Sequence, residues 1–173
     1  MRIFLTGFMG SGKTTSGRRL ASRLGYDFVD LDDAIELETG LTIGELFRES
    51  EMRFREKERE VLLKLINLDN SVIATGGGTP CFFDNMTWMN RHGLTIYLSL
   101  TNGSLFHRLA PSKENRPLIC HMGDIELMEY IMDSLVIREP YYKMSAITVT
   151  GEDLDVNRLS DRINSKMYQL QYK

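Results

Sequence analysis

Residues 7–14 read GFMGSGKT, and this segment lies between the apolar run RIFLT and the helix-forming stretch KTTSGRRLASRL. The spacing G-x-x-x-x-G-K-[ST], between a strand and a helix, is that of a phosphate-binding loop. Glycines let successive backbone N–H groups turn toward an anion, and the helix that follows adds its N-terminal dipole. The segment therefore predicts a chain that folds around the phosphates of a nucleoside triphosphate.

Individual residues of this loop have distinct chemical roles. Lys13 supplies a mobile positive charge for the β- and γ-phosphates, and Thr14 offers a hydroxyl oxygen to Mg²⁺. The alternative to a phosphate-binding loop is a glycine-rich turn in which the lysine has no function. The complete pattern, between a strand and a helix, disfavours this alternative. The predicted phosphate-binding set is Gly10, Ser11, Gly12, Lys13, Thr14 and Thr15.

Short apolar runs alternate with longer helical patterns along the chain. RIFLT, YDFVDLD, SVIAT, LTIYLSL and AITVT are predicted strands. The segment from Thr42 to Leu68 predicts two helices broken near Ser50, and a later helix is predicted to bend or stop at Pro140. Strands that alternate with helices form a parallel sheet covered on both faces. We therefore predict a three-layer α/β/α fold with a five-stranded parallel sheet, in one domain of residues 1–173.

The composition narrows the classes of partner. The chain has 173 residues, of which 42% are hydrophobic, and a domain of this size needs no disulfide or structural metal to fold. Cys81 and Cys120 do not have the spacing of a metal site. A net charge of −3 disfavours a nucleic-acid partner, and no apolar run approaches the length of a membrane span. The N-terminal apolar run is too short for a signal peptide, so we expect a cytoplasmic protein.

The phosphate loop alone does not define what is done with the nucleotide. A GTPase switch should carry DxxG and NKxD, but no Asp in the chain has Gly three residues later and no Asn is followed by Lys. A motor or AAA-type ATPase usually needs a longer chain and an apolar strand that ends in Asp-Glu, which this sequence lacks. A small phosphotransferase remains, in which Lys13 and Mg²⁺ hold the nucleotide while an acceptor hydroxyl attacks in line.

A kinase must exclude water from the transferring phosphoryl group, and a mobile lid that carries arginine is the usual device. Residues 111–122, PSKENRPLICHM, contain two prolines and no clear period, so we predict a loop that acts as a lid. Arg116 within it is suited to bidentate contact with a phosphate. The position of Arg116 in the sequence fits an arginine exposed to solvent on the surface equally well.

Three segments are candidates for the acceptor site. In DLDD, Asp30 and Asp32 lie at the end of the predicted strand YDFVDLD. One carboxylate there can serve the metal and the other can accept a hydroxyl proton. Alternatively, Asp32 or Asp33 caps the next helix. Most of RFREKERE is expected to be a solvated face with i,i+4 ion pairs. The run TGGGT, with Gly76 to Gly78, permits close approach of a ligand to the backbone.

In their order along the chain, these segments resemble the shikimate kinase family from nearly one end to the other. The phosphate loop, D-x-D, F-R-x-x-E, G-G-G, R-P-L and an arginine before tyrosine follow the family's order and rough spacing. The resemblance implies a P-loop NTPase fold of the nucleoside monophosphate kinase type. It also implies ATP-dependent phosphorylation of the 3-hydroxyl of shikimate, in aromatic amino-acid biosynthesis. The matching residues are Gly7, Gly10, Gly12, Lys13, Thr14, Asp30, Asp32, Phe54, Arg55, Glu58, Gly76, Gly77, Gly78, Arg116, Pro117, Leu118, Arg138, Tyr141 and Tyr142.

The resemblance implies roles on the acceptor side. Arg55 and Arg138 would clamp the shikimate carboxylate, because guanidinium groups bind carboxylates bidentately. Asp32 would accept from the ring hydroxyls and act as the base, and Glu58 would help to orient the site. Two glycines would contribute backbone N–H groups. The acceptor-binding subregion is predicted to be about residues 31–60. The implied shikimate-binding residues, some of which lie outside this subregion, are Asp32, Arg55, Glu58, Gly77, Gly78 and Arg138.

The resemblance also implies roles on the donor side. Asp30 would contact Mg²⁺ through water, and Arg116 would close on the transferring phosphoryl group. Arg108 would cover the adenine, with a segment around Asp153 as the other wall. The implied catalytic residues are Lys13, Asp32 and Arg116.

Two other functions stay open on this reasoning. A gluconate or nucleotide kinase would share the phosphate loop and the lid, and paired arginines favour an anionic acceptor without excluding a nucleoside monophosphate. An ATP-binding regulatory module, with the charged segment 42–68 as its partner surface, would bind ATP without consuming it. We expect a monomer that takes shikimate and ATP as substrates, with no nucleic-acid or membrane partner.

Overall fold

The structure, a computed structural model, describes residues 1–150 and 155–171. Its strands are β1 (Arg2–Thr6), β2 (Asp27–Asp30), β3 (Ser71–Ala74), β4 (Leu94–Ser99) and β5 (Ile147–Thr150). Its α-helices are α1 (Lys13–Leu24), α2 (Leu31–Thr39), α3 (Ile43–Glu49), α4 (Glu51–Lys64), α5 (Asn85–His92), α6 (Asn102–Leu109), α7 (Asp124–Tyr142) and α8 (Val156–Gln171). Short 3₁₀ helices cover Leu65–Asn67, Thr79–Cys81 and Ala110–Asn115.

The strands form one parallel sheet in the order β2-β3-β1-β4-β5. β1 lies at its centre, with Phe4 opposite Ile73 of β3 on one side and opposite Thr95 of β4 on the other. The predicted five-stranded parallel sheet is therefore confirmed. Because open α/β sheets bind ligands outside the carboxyl ends of their strands, the turn after β1 lies where a ligand is expected.

Alternate residues of the central strands face opposite layers of helices. Phe4 and Ile73 pack into a cluster with residues of α2, α3, α4 and α5, whereas Ile3 and Val72 pack with residues of α1 and α8. Both faces of the sheet are covered, as the apolar strands of a parallel sheet require. The predicted three-layer α/β/α architecture is confirmed.

A third apolar cluster joins α6 and α7 to the segment between them. Leu105 and Leu109 of α6 pack with Leu127 and Ile131 of α7, and Ile119 from the predicted lid packs among them. Each of these five side chains is at most 1% exposed. One end of the lid is therefore anchored in the core of the protein.

Several predicted boundaries are confirmed. α1 ends at Gly25, which has a left-handed φ of 67°, and helices commonly end this way because glycine has no Cβ to clash. The predicted break near Ser50 separates α3 from α4, and the Ser50 side chain caps α4. The predicted loop over residues 111–122 is partly wrong, because it begins within the 3₁₀ helix Ala110–Asn115. A 3₁₀ turn accepts proline among its first residues, so Pro111 does not prevent it.

Helix α7 passes through Pro140. Of the two predicted alternatives, a bend or a stop at this proline, the stop is wrong, since the helix continues to Tyr142. Proline removes one backbone hydrogen bond, and the complete burial of the large Tyr142 side chain offsets this loss near the helix end. Across the described ranges, α7 included, no helix has both the length and the apolar character needed to cross a membrane.

Candidate active site

The phosphate loop occupies the turn between β1 and α1. Gly10 and Gly12 have φ of 78° and 90°, in the left-handed region that glycine adopts without strain. Gly7 has no room for a side chain, because a Cβ there would lie 2.7 Å from the carbonyl oxygen of Leu98. The buried hydroxyl of Ser11 has no hydrogen-bond partner among the described residues. The glycines therefore allow the open turn that phosphate binding requires.

Lys13 lies under this loop with its charge turned inward. Its Nζ donates to the carbonyl oxygens of Gly7 and Phe8, at 2.8 and 2.9 Å. Burial lowers the pKa of Lys13 to about 8, against the opposing effect of the Asp32 and Asp30 carboxylates. The ammonium group is thus charged at neutral pH and is held by weak acceptors that a phosphate can replace.

A cavity of about 380 Å³ covers the phosphate loop, and we call it the donor cavity. Arg108 reaches over the loop, since a Cβ on Gly12 would lie 3.4 Å from its Nη1. Asp153, predicted for the adenine site, lies outside the described residues. The predicted ATP-binding residues on the cavity wall are Gly10, Gly12, Lys13, Thr14, Thr15, Arg108 and Arg116.

The two predicted metal-site residues are in direct contact. Thr14 Oγ1 donates to Asp30 Oδ2 at 2.8 Å, and both residues line the donor cavity. The other carboxylate oxygen of Asp30 accepts from the backbone N–H of Asp32, at 3.1 Å, and caps α2. The alternative that Asp32 or Asp33 caps this helix is therefore wrong, because Asp30, the last residue of β2, occupies the position before the first helical residue. Hydroxyl and carboxylate oxygens are hard donors of the kind Mg²⁺ prefers.

A second cavity, of about 250 Å³, adjoins the first, and we call it the acceptor cavity. Asp32 and Arg116 line both cavities, together with Met9. The two cavities therefore meet at one carboxylate and one guanidinium. The predicted shikimate-binding residues on the acceptor wall are Asp32, Arg55, Glu58, Gly77, Gly78 and Arg138.

Asp32 is a carboxylate in an acidic neighbourhood. Burial, together with the nearby Asp30 and Glu58 carboxylates, raises its pKa to about 6, while Lys13 acts in the opposite direction. A base with a pKa just below neutral is mostly ionised at pH 7 and still basic enough to accept a proton. The position and the pKa of Asp32 both suit a general base.

Arg55 and Glu58 form a buried ion pair on the inner face of α4. Arg55 Nη1 donates to Glu58 Oε2 at 2.9 Å, and the two residues are only 5% and 0% exposed. Burial raises the pKa of the Glu58 carboxyl, and Arg55 opposes this effect. Arg55 Nε is also buried but has no hydrogen-bond partner in the described structure. A buried guanidinium with an unused donor, on a cavity wall, indicates an anionic ligand.

The three glycines after β3 make room for this ion pair. A Cβ on Gly76 would lie 2.9 Å from Glu58 Oε1, and one on Gly78 would lie 2.6 Å from Arg55 Nη2. Any larger residue would push the charged side chains out of place. Gly77 lines both cavities, and its carbonyl oxygen accepts a hydrogen bond from the Tyr142 hydroxyl.

Arg138 reaches the acceptor cavity from α7. Its guanidinium carbon lies 5.5 Å from the centre of the Phe8 ring, and the hydroxyl-bearing rings of Tyr130 and Tyr142 are close enough to affect its pKa. Arg55 comes from α4, so the two arginines approach the cavity from different helices. Sequence chemistry alone did not single out Arg138; only the motif did.

Residues of the predicted lid contribute to the walls of both cavities. Arg116 lines each of them, and its Nε is buried without a partner among the described residues. Pro117 and Leu118 line the acceptor cavity. Pro117 also rests on α3, since a Cβ on Gly44 would lie 3.1 Å from its Cγ. The lid thus spans from the donor side to the acceptor side of the site.

Sequence reasoning missed much of the acceptor wall. Phe47 and Phe54 line the acceptor cavity with Ile43 and Gly44, and the two rings are 4.3 Å apart. Phe47 lies in α3 and Phe54 in α4, and an apolar residue in a helix by itself indicates only a buried face. A glycine second in a helix, as at position 44, was the available signal for close packing by another segment.

Phosphoryl transfer needs a donor site and an acceptor site in contact, with water excluded between them. The two adjoining cavities supply sites in contact for a donor and an acceptor, so the fold and the site define a small-molecule kinase of the P-loop class. The model of the shikimate kinase family, described as "SKI: Shikimate kinase", matches residues 9–168. The chain belongs to this family, which confirms the resemblance, and it is an ATP-dependent kinase.

Individual relatives agree with this assignment. A shikimate kinase of Bacteroides thetaiotaomicron is 45% identical over 156 residues, which cover 90% of this chain and 89% of the relative. A shikimate kinase of Flavobacterium johnsoniae is 38% identical, over 82% of this chain and 84% of the relative.

Solved structures also agree. The crystal structure of shikimate kinase from Bacteroides thetaiotaomicron has a TM-score of 0.89 at 41% identity, covering 97% of this chain and 98% of that one. Shikimate kinase from Acinetobacter baumannii, solved in complex with shikimate, has a TM-score of 0.85 at 33% identity, covering 99% and 95%. The predicted fold type is confirmed at the level of the family.

Proposed function

We propose that this chain transfers the γ-phosphate of ATP to the 3-hydroxyl of shikimate, giving shikimate 3-phosphate and ADP. The observation that carries the proposal is the junction of the two cavities at Asp32, with Arg55 buried in the acceptor wall and Arg138 on the same wall. Shikimate has a ring, hydroxyls and one carboxylate, and this wall offers apolar surface, a carboxylate acceptor and two guanidinium groups. Membership of the shikimate kinase family supports the same substrate.

On the donor side, the phosphate loop binds the triphosphate. Lys13 exchanges the carbonyl oxygens of Gly7 and Phe8 for the β- and γ-phosphate oxygens, because charged acceptors bind an ammonium group more strongly. Arg108 lies above Gly12 and contacts the adenine end of the nucleotide. Asp153 is proposed for the opposite adenine wall from the family pattern alone.

Mg²⁺ fits the oxygen donors at the edge of this loop. Thr14 would hold the ion through its hydroxyl, and Asp30 would hold it through water, after their mutual hydrogen bond opens. The ion supplies neutralisation of the phosphate charge when it is bound. Because one oxygen of Asp30 caps α2, the carboxylate is fixed in place whether or not its other oxygen contacts Thr14.

On the acceptor side, the shikimate carboxylate lies between Arg55 and Arg138, and the ring hydroxyls face Asp32. The backbone N–H groups of Gly77 and Gly78 complete the contacts, and Glu58 orients Arg55 through their ion pair. The acceptor is thus recognised by two positive charges, one from α4 and one from α7. A neutral sugar has no carboxylate and would form neither ion pair.

The transfer step follows from this placement. The 3-hydroxyl oxygen attacks the γ-phosphorus, its proton passes to Asp32, and the bond from the γ-phosphorus to the bridging oxygen of ADP breaks. Arg116, which lines both cavities, stabilises the charge on the transferring group. Asp32 then releases the proton to solvent when the lid opens.

We further propose that residues 1–173 act as one kinase domain. Residues 31–60 form the acceptor subregion and residues 111–122 form the lid, which excludes water when both substrates are bound. We also propose a monomer that works on small molecules. A cytoplasmic location and the lack of a nucleic-acid partner are proposed from the composition.

The test is coupled ADP release with Mg·ATP and a panel of acceptors: shikimate, gluconate, AMP, CMP and water. ADP release in equal amount to shikimate consumed, with no release for the others, is the expected result. Release with gluconate or a nucleoside monophosphate instead would retain the kinase and reject the carboxylate clamp. ATP binding with no release for any acceptor would support the regulatory module.

A further inference from the structure

Arg55 is held on several sides at once. Its guanidinium carbon lies 4.2 Å from the centre of the Phe82 ring, 4.9 Å from that of Phe54 and 5.1 Å from that of Phe47. Phe54 is its neighbour in α4 and Phe47 lines the acceptor cavity, whereas Phe82 belongs to the segment after the three glycines. Aromatic faces attract a guanidinium and restrict its orientation.

The N–H groups of Arg55 are not used equally by the protein. Nη1 donates to Glu58 at 2.9 Å, and Nη2 makes only a 3.4 Å contact with the exposed Glu51. Nε is buried with no partner in the described structure. Nε and Nη2 form one of the two edges of the guanidinium that can bind a carboxylate bidentately; the other edge is Nη1 with Nη2. The contact with Glu58 therefore involves Nη1 and leaves Nε and Nη2 to a carboxylate that replaces the long contact with Glu51.

Thr79 fixes the partner of Arg55. Its Oγ1 donates to Glu58 Oε1 at 2.5 Å, and Thr79 and Glu58 are both 0% exposed. Each oxygen of Glu58 thus has one partner, Thr79 on one side and Arg55 on the other. Without the hydroxyl, a buried carboxylate oxygen would lack a donor, and Glu58 would be free to turn away from Arg55.

The segment that carries Thr79 and Phe82 is itself fixed to α4. Asn85 Nδ2 donates to the carbonyl oxygen of Thr79 at 2.8 Å, and Arg59 of α4 donates to Asn85 Oδ1 at 2.8 Å. Phe83, between these anchors, has a φ of 50°, which is a strained conformation for a bulky residue. Such strain persists only where the surrounding contacts determine the backbone.

We propose that Thr79 and Phe82 are positioning residues for the acceptor carboxylate. Neither residue lines the acceptor cavity, so each acts through Arg55: Thr79 by holding Glu58, and Phe82 by stacking on the guanidinium. Together they present the Nε and Nη2 edge of Arg55 to the carboxylate. This inference rests on the proposed function and deepens it by adding two residues behind the carboxylate clamp.

The test compares matched variants of the full chain. Thr79→Val removes the hydroxyl at constant shape, and Thr79→Ser restores it. Phe82→Leu removes the ring, and Phe82→Tyr keeps it. Phe83→Leu is the control, because Phe83 is the neighbouring ring, is 55% exposed and makes no stacking contact with Arg55 among the described residues.

The measurement is the ratio of kcat/KM for shikimate to kcat/KM for its analogue with a hydroxymethyl group in place of the carboxylate. A hydrogen bond to a charged group is worth enough that its misplacement should lower this ratio about tenfold in Thr79→Val and in Phe82→Leu. Thr79→Ser, Phe82→Tyr and Phe83→Leu should keep the wild-type ratio. The ratio is internal to each variant, so a fraction of unfolded enzyme does not affect it.

The outcomes separate the two proposals. Wild-type enzyme that fails to phosphorylate shikimate overturns the proposed function, and the positioning roles with it. Active wild-type enzyme whose ratio is unchanged in Thr79→Val and Phe82→Leu overturns the positioning roles alone. An equal loss of activity toward both acceptors, with the ratio unchanged, is the result of a merely structural role and also overturns them.

Discussion

At the scale of single residues, burial shifts the pKa of the two groups to which we assign charge and proton transfer, Lys13 and Asp32. Lys13 is buried and Asp32 is partly buried. Loss of solvation moves the pKa of the lysine down to about 8 and that of the aspartate up to about 6. The sequence identified both residues through their motifs. It could not give their pKa values, because Glu58, a main neighbour of Asp32, comes from a helix whose inner face is not visible in a charge pattern.

The pKa of Lys13 predicts an alkaline limit to nucleotide capture. The kcat/KM for ATP should fall above about pH 8, because the neutral amine no longer attracts the triphosphate and kcat/KM reports the free enzyme. Steady-state assays from neutral pH upward, at constant ionic strength, measure this decrease in kcat/KM. Lys13→Arg is the control. Because arginine stays charged, kcat/KM for ATP in this variant should be lower than in the wild type but should not decrease above pH 8. If kcat/KM for ATP still decreased above pH 8 in Lys13→Arg, the group that titrates would not be Lys13.

The raised pKa of Asp32 predicts a stability cost. The folded-state pKa of about 6 lies above the ordinary value of 3.8, so folding favours the protonated form and ionisation opposes folding. Asp32→Asn should therefore raise the free energy of unfolding at pH 8, by about 1–3 kcal/mol given 1.4 kcal/mol per pKa unit. The gain should shrink as the pH falls through 6 and vanish near pH 4.

Urea unfolding of wild type and Asp32→Asn at both pH values measures this gain. Asp33→Asn is the control, because the Asp33 side chain is 74% exposed and its replacement should change stability little at either pH. Asp32→Asn should also lose most of its turnover, since the amide cannot accept the hydroxyl proton. A variant no more stable than wild type at pH 8 would contradict the pKa of Asp32.

At the scale of elements, α4 shows what the sequence can and cannot predict. Its charged run was expected to be a solvated face, and Arg53, Glu56 and Glu60 are indeed exposed. Arg55 and Glu58 are buried instead. Their spacing fits a surface ion pair as well as a buried one, and only the later glycine segment, folding back over α4, decides between them. The family motif identified both residues, whereas the physics of the local sequence did not.

The contact between α3 and the lid predicts a sensitive position at Gly44. Gly44→Ala would place a Cβ 3.1 Å from Pro117 Cγ, so the lid must shift by a few tenths of an ångström. Because small displacements of positioning groups are costly, the KM for shikimate should rise roughly threefold to tenfold, with little change in KM for ATP. Thermal stability should not fall, since alanine is favoured over glycine within a helix.

Helix α6 supplies the matched control for this change. Gly103 is the second residue of α6, as Gly44 is of α3, and a threonine caps each helix. A Cβ on Gly103 would meet only Thr101 Oγ1, at 3.9 Å. Gly103→Ala should therefore match the stability effect of Gly44→Ala and leave the KM for shikimate unchanged. An equal rise in KM in both variants would refute a role for the lid contact.

At the scale of the whole molecule, the order of the chain predicts the fold but not the meeting point of the two cavities. Alternating apolar and helical segments were sufficient for the parallel sheet and its layers, because this pattern has few stable solutions. The junction depends on Asp32 after β2, Gly76 and Gly77 after β3, and Arg116 in the lid. These residues are up to 84 positions apart in the sequence (116 − 32), and no local pattern relates them.

The shared wall predicts that the two substrates assist each other's binding. Arg116 lines both cavities. A ligand in one cavity that fixes the Arg116 side chain therefore lowers the entropy cost of binding a ligand in the other cavity. Shikimate should bind about fivefold or more tightly when a non-hydrolysable ATP analogue with Mg²⁺ is present, and the analogue should gain by the same factor from shikimate. Calorimetric titration of each ligand, with and without the other, measures both factors.

Two arginines distinguish this coupling from simple loss of affinity. Arg116→Ala should bring the coupling factor close to one, whatever it does to either ligand alone. Arg108 lines the donor cavity but is absent from the acceptor wall, so Arg108→Ala should weaken the ATP analogue and keep the factor. Independent binding in the wild type, or coupling that survives in Arg116→Ala, would mean that the lid arginine does not connect the cavities. Loss of coupling in Arg116→Ala alone would show that one side chain links donor and acceptor across the fold.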